Sequence, residues 1–279
     1  MQKPEKPLHN ITFEKALETH TEENENTPED QEMPPKDLVE SLDLAKPFKS
    51  QQKWVKYEVK EGWAVSQGDI LLGRPKPEDK SKVGRVQSAK TRLWSGGVIP
   101  FAIQQDTPNR AEILKVLEFF NSKTVIKFVE FEGDEDVLVF VPSQDLCGSY
   151  LGRVGGQQPV LISRKCGFQE IAHEVMHALG FVHEQSRSDR DKSIEVLWDN
   201  IEDFALEQFA IAPKPWLDEM KYDSFYFSYH TIMLYSERAF AKKSGLLTLR
   251  SRTQETISPA DRPTDEDIYR IDMVYSNAK

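Results

Sequence analysis

IAHEVMHALGFVHEQSRSDRD, residues Ile171–Asp191, places His173 and His177 four positions apart. On an α-helix that spacing projects both imidazoles from one face, a single turn apart. The surrounding QEIAHEVMHALG is rich in helix formers and has no proline, so a helix is expected here. Glu174, beside the first imidazole, is then within reach of a water on any ion the pair holds. Gly180 ends the helix, because glycine enters a left-handed C-cap without steric cost. The turn that follows brings His183 toward the same point. Three neutral nitrogens with an open fourth position are the donor set of a catalytic zinc ion, one per chain, whereas a structural site is closed by four ligands. HExxH alone recurs by chance in unrelated proteins, but HExxHxxGxxH fixes five positions with mechanical roles.

The fuller run HEVMHALGFVHEQSRSDRD resembles the astacin family of zinc endopeptidases, a branch of the metzincins whose helix and turn read HExxHxxGFxHExxRxDRD. Phe181, Glu184, Arg187, Asp189, Arg190 and Asp191 fall at that family's positions. The resemblance extends from about Leu93 to the C-terminus, and more weakly into the N-terminal third. It implies an α/β (α+β), zincin-like catalytic domain with two subdomains split by the active-site cleft and a mixed sheet backing the zinc helix. A loosely structured propeptide precedes it, which divides the chain into residues 1–86 (propeptide) and 87–279 (catalytic domain).

The whole-chain numbers agree with one large or two modest domains: 279 residues, 38% of them hydrophobic. No apolar run approaches the roughly 20 residues of a membrane span. A net charge of −10 argues against a nucleic-acid partner. MQKPEKPLHN has no apolar core of a secretory signal, so the chain is either cytosolic or given without its signal peptide. The two cysteines, read alone, are compatible with free thiols, a pair or metal ligands.

Residues 1–50 are rich in Glu, Lys, Pro, Thr and Asn, a composition that disfavours a packed core. PKDLVESLDLA is the one short helix expected there. Trp54–Leu72 alternates apolar and polar residues in WVKYEV and ends in a Gly-Asp turn. By resemblance, this is where the family's propeptide carries an FxGD element whose aspartate ligates the zinc and displaces the catalytic water. Asp69 is the candidate zymogen ligand, although Ser66 stands where the motif has its aromatic. GRPKPEDKSKVGRVQS, Gly73–Ser88, reads as an exposed linker open to an activating protease or to autocatalysis. In the family the freed N-terminus is buried against the glutamate after the third histidine, here Glu184.

In the catalytic part, Val98–Ile103, Val125–Phe131 and Val137–Val141 read as strands and Asn109–Ser122 as a helix, with Phe119, Phe120, Phe128 and Phe131 as core. Cys147 and Cys166 match family cysteines that form a disulfide beside the cleft. The partners of the family's other disulfide are both missing: Val125 occupies one position, and Ser276-Asn277-Ala278-Lys279 lacks the other. A disulfide implies an oxidising compartment, and with it a secreted, extracellular or periplasmic location. Gly148, Ser149, Tyr150 and Leu151 are the expected edge along which a peptide lies extended. Asp189, Arg190 and Asp191, with Arg187, read as structural support beneath the site. Glu195–Phe209 reads as a strand and then a helix, with Asp199 or Asn200 near its N-cap.

SYHTIMLYSERAF, residues 228–240, aligns with the family's SxMHYG turn. Met233 falls where a methionine lies under the zinc, and Tyr235 where a tyrosine ligates it in the mature form. Thr231, Leu234 and Ser236 replace Ser, His and Gly. His230 reads as a structural histidine, and His9 and His20 have no evident partners. The resemblance therefore implies a secreted zinc endopeptidase in latent form: His173, His177 and His183 hold the metal, Glu174 is the base, and Tyr235 stabilises the oxyanion. Its partners would be polypeptide substrates and its own propeptide, and a monomer is expected. Two other readings of the same residues are a catalytically silent binding protein on a protease scaffold and a zinc amidase acting on a non-protein amide.

Overall fold

A computed structural model describes residues 54–75, 83–87, 90–133 and 135–276. The acidic N-terminal stretch and the helix expected within PKDLVESLDLA lie outside these residues, as do His9 and His20. The described residues open with β1 (Trp54–Lys60), β2 (Trp63–Ser66), β3 (Ile70–Leu71) and β4 (Val83–Gln87). The strand β4 departs from the linker expected over Gly73–Ser88. VGRVQ pairs antiparallel with β1, Val55 opposite Val86 and Tyr57 opposite Gly84, and such a main-chain ladder requires no apolar periodicity.

Next come β5 (Val98–Ile103), α1 (Arg110–Lys123), β6 (Lys127–Glu130), β7 (Val137–Pro142), β8 (Gly148–Tyr150) and β9 (Gln157–Ile162). With the first four they form a nine-stranded sheet ordered β4-β1-β2-β3-β8-β9-β7-β5-β6. It is mixed, as expected: β5, β6, β7 and β9 run parallel, and β8 is antiparallel to β9. The join between the two halves is parallel, with Ile70 opposite Ser149 and Leu71 opposite Tyr150. On one face, α1 and α2 (Phe168–Ala178) cover the sheet. Ile113, Val116, Leu117 and Phe120 of α1 pack there with Ile171, Val175 and Met176 of α2, all buried. Phe128 joins the same core, Phe119 packs against it half-buried, and Phe131 packs at the other face.

Below the metal helix the chain builds a second, smaller core. The strands β10 (Ile194–Val196) and β11 (Leu249–Ser251) pair antiparallel. Ile194, Ile201, Phe209, Tyr229, Leu234 and Leu249 close around them. The short α3 (Lys214–Leu217) and the C-terminal α4 (Asp265–Tyr275) complete the fold. Two cores on either side of the metal helix correspond to the two expected subdomains.

The helix expected in DNIEDFALEQFA is instead two 3-10 segments, Trp198–Asn200 and Asp203–Phe209. Tertiary partners hold its backbone: Glu202 N donates to Phe240 O, and Asn200 O accepts from Lys242 N. The carbonyls of Gln208 and Phe209 accept from Gln185 and Arg190.

Cys147 and Cys166 are disulfide-bonded across a separation of 19 residues. The bond ties the segment before β8 to the loop that leads into α2. For a loop of that length the chain-entropy model gives about 3 kcal/mol. The Cys147→Ser, Cys166→Ser double variant is therefore expected to lose about that much stability, as read by urea unfolding. An unchanged unfolding midpoint would remove the bond from the list of supports.

Candidate active site

The site is built on α2. Its apolar face is buried in the core and holds the helix rigid, while His173 and His177 leave the other side together, their ring centroids 4.6 Å apart. The helix stops where glycine makes stopping cheap. Gly180 has φ +103, and a Cβ there would lie 2.7 Å from Met220 Sδ. The chain reverses, and His183 returns with its ring 4.8 Å from that of His177 and 5.1 Å from that of His173.

The outer nitrogens of the imidazoles fix where the inner ones point. His173 Nδ1 lies 3.0 Å from Ile232 O, and His177 Nδ1 lies 2.7 Å from Phe181 O. Donation to those carbonyls leaves each Nε2 lone pair facing inward, the arrangement of metal-bound histidines. Burial pushes the His177 pKa down to about 4, so this ring is neutral and able to coordinate.

Asp69 stands at the fourth corner. Its Oδ2 is 3.5 Å from His173 Nε2 and 3.2 Å from His183 Nε2, and its Oδ1 is 3.4 Å from His177 Nε2. His173 Nε2 and His183 Nε2 are 3.2 Å apart. Donors about 2.0–2.2 Å from one tetrahedral ion are separated by about 3.3–3.6 Å, so the spacings suit zinc. Asp69 Oδ1 and His177 Nε2 are also buried without a hydrogen-bond partner, which is costly unless a cation lies between them. Burial would raise the Asp69 pKa, but the neighbouring His183 and His177 hold it well below the usual carboxylate range.

The turn that delivers Asp69 is made for close approach. Gly68 has φ +97, and a Cβ on it would meet Gln208 Oε1 at 2.8 Å. The positive φ is what favours glycine here, since the Gln208 side chain could shift. Ser66, at the place of the family's aromatic, is buried on β2. The strand that follows the aspartate lies along Gly148, Ser149 and Tyr150, with Ser149 N donating to Asp69 O at 3.0 Å. Leu151 is buried just beyond.

Glu174 is buried beside the cluster, its Oε2 unpaired. Burial, then the charges of Asp69 and Glu170, raise its pKa well above the usual carboxylate range. The Tyr235 ring lies tilted beside that of His183, ring centroids 4.9 Å apart, and its hydroxyl is engaged elsewhere. It donates to Gln208 Oε1 at 2.9 Å and to Gln67 O at 3.2 Å.

Beneath the site Met233 is buried, and its carbonyl accepts from Glu184 N at 2.9 Å. The Met233 turn is fastened by Thr231, whose hydroxyl accepts from Met233 N and donates to Asp267. Asp267 is also the N3 residue of the α4 capping box with Thr264. Glu184 is enclosed by donors. Arg270 contacts it twice, at 2.9 and 3.0 Å, Arg187 at 2.9 Å and Ser228 N at 2.7 Å. An amino terminus freed by cleavage would have to share this carboxylate with two arginines. Arg187 and Arg190 are fully buried, so they support the floor from inside, with Asp189 and Asp191 as their ion-pair partners. His230 is exposed and not part of the cluster.

Sequence reading missed Gln185, Gln208, Asp267 and Arg270. Asp267 had a signal, the Thr264-x-x-Asp267 capping pattern, whereas the other three had none.

Comparison with known proteins matches residues 86–276 to the sequence model of the Astacin peptidase family. The zinc metalloproteinase nas-4 of Caenorhabditis elegans is 34% identical over 221 residues, covering 76% of this chain and 69% of that protein. The zinc metalloproteinase nas-13 of the same organism is 36% identical over 192 residues, covering 66% of this chain and 41% of that protein. The chain thus spans about two fifths of the length of nas-13. Among solved structures, high choriolytic enzyme 1, a hatching-enzyme zinc protease of the medaka Oryzias latipes, superposes with a TM-score of 0.58. That likeness holds at 32% identity and covers 67% of this chain and 94% of the other. Zinc is the metal of these relatives, and the donor set built here suits it. By the extent of that match, and with its residues meeting at one point, this chain belongs to the astacin family of zinc peptidases.

Proposed function

We propose that the chain is the latent precursor of a secreted zinc endopeptidase, silenced by Asp69. Residues 1–86 form the propeptide and 87–279 the catalytic domain. The observation that carries the reading is the position of the Asp69 carboxylate, 3.2–3.5 Å from three histidine nitrogens, at the corner where a catalytic site must stay open. The parallel pairing of β3 with β8 supports it, since an extended segment already occupies the edge a substrate would take. The disulfide favours an oxidising, extracytoplasmic compartment, and no helix among the described residues is long and apolar enough to cross a membrane.

With the propeptide gone, the main chain of Gly148–Tyr150 pairs with the peptide and holds its scissile carbonyl over the cluster. A zinc ion held by His173, His177 and His183 supplies Lewis acidity and lowers the pKa of water. Glu174 Oε2 takes the proton of the attacking water and passes it to the departing amine nitrogen. Burial first of all raises the Tyr235 pKa, and a protonated hydroxyl is a donor for the oxyanion. The approach of Tyr235 to the metal in the mature form requires release of Gln208 and Gln67 O.

The test is the full-length Asp69→Ala chain. Uncut, it is expected to hydrolyse denatured protein at least 10-fold faster than the uncut wild type, and a chelator should abolish the gain. A full-length Asp69→Ala chain as inactive as the wild type would refute the switch.

A further inference from the structure

A second carboxylate of the N-terminal segment is also held by the catalytic part, away from the metal. Glu61 (φ 50) and Gly62 (φ 75) form the left-handed turn between β1 and β2, which directs the Glu61 side chain onto the loop before β8. Its Oε2 accepts from Ser143 Oγ at 2.9 Å and from Gln144 N at 3.1 Å, and its Oε1 accepts from Asp145 N at 2.9 Å. Consecutive main-chain N–H groups converging on one point make an anion nest. Its walls are fixed from the catalytic side. Ser143 N donates to Ile162 O, Leu146 N donates to Ser143 Oγ, and the next residue is disulfide-bonded Cys147. The Asp145 carboxylate is drawn off by Lys165 at 2.6 Å. Burial would raise the Glu61 pKa, but the hydrogen bonds from Asp145, Gln144 and Ser143 outweigh it and leave the carboxyl below its usual range.

We propose that the Ser143–Asp145 loop is a carboxylate-binding subsite, filled by Glu61 in the precursor and by an acidic side chain of the peptide substrate after processing. The guest leaves with the propeptide while the donors stay. Position favours a substrate over a free ion. The Glu61 carbonyl accepts from Arg74 Nη1 at 3.0 Å, and Arg74 lies five residues beyond Asp69. The residue that fills the nest thus touches a side chain five residues past Asp69, which sets the nest within side-chain reach of a peptide that continues along the track of β3. This inference rests on the peptidase reading and on removal of the N-terminal segment.

The test uses chain folded at full length, cut between residues 86 and 87 and freed of the propeptide. In the Glu174→Gln background, a peptide of residues 54–75 with Glu61 is expected to bind about 10-fold tighter than its Glu61→Gln form, as charged hydrogen bonds are the stronger ones. Ser143→Ala should shrink that ratio. Equal affinities, or a ratio unchanged by Ser143→Ala, overturn the nest. In wild-type processed enzyme, a Glu-for-Gln scan of a cleaved peptide should show one position where Glu lowers KM several-fold. No such position confines the nest to the propeptide and overturns the substrate assignment. If no peptide is cleaved at all, the peptidase reading fails instead, and the hairpin affinities still decide the nest.

Discussion

The Glu174→Gln variant of the processed enzyme is expected to bind zinc as the wild type does while its turnover falls by at least 10²–10⁴-fold, the range of a lost general base. The side chain is not one of the four groups that converge on the metal position, so the donor set is untouched. The amide has nearly the shape of the carboxylic acid, so packing in this buried pocket is preserved. The loss should appear in kcat more than in KM, because the proton moves only as the bond to carbon forms. Metal content by atomic absorption and steady-state hydrolysis of one peptide are sufficient measurements. Wild-type turnover in a zinc-replete Glu174→Gln enzyme would assign the proton transfer to another group.

The second large effect concerns stability and lies beneath the site. Arg187 is 0% exposed. It spends its guanidinium on Glu184, on both oxygens of Asp189, and on the carbonyls of Tyr222, Phe225 and Tyr226. The Arg187→Met variant fills much of the volume but leaves three carbonyls without that donor and Glu184 dependent on Arg270 and Ser228 N. Breaking a buried pair from one side costs about 3–5 kcal/mol, and for a chain of this size Tm should fall on the order of 10 °C. Arg187→Lys should recover little, since an ammonium cannot reproduce the planar fork. A thermal melt of Arg187→Met that coincides with the wild type would show that the cluster can be dispensed with.

These two residues also mark what the amino-acid sequence reveals unaided. His173, Glu174, His177 and Gly180 are readable because one helical period and one left-handed turn set their relation within eight residues. His183 follows from the turn at Gly180, whereas Met233 and Tyr235 become readable only through the family resemblance, because their approach depends on the path of the chain in between. Arg270 and Gln208 stay hidden: each acts on a residue far away in sequence, and nothing local distinguishes them from surface residues. Composition misled in two places. Residues 198–209 have helix-forming residues, but their backbone groups are claimed by distant partners. The lysine-rich linker contains a strand because β1 offers it a main-chain ladder.

The parallel join between β3 and β8 has a consequence for the life of the chain before any peptide is cut. Without residues 54–86 the sheet ends at Gly148–Tyr150, and the apolar face that Trp63, Val65 and Leu71 share with Val137, Val139 and Leu161 loses its cover. A bare strand border above exposed valines is a template for another molecule of the same kind. With the N-terminal strands in place that border is paired, and Trp63, Val65 and Leu71 keep Val137, Val139 and Leu161 covered.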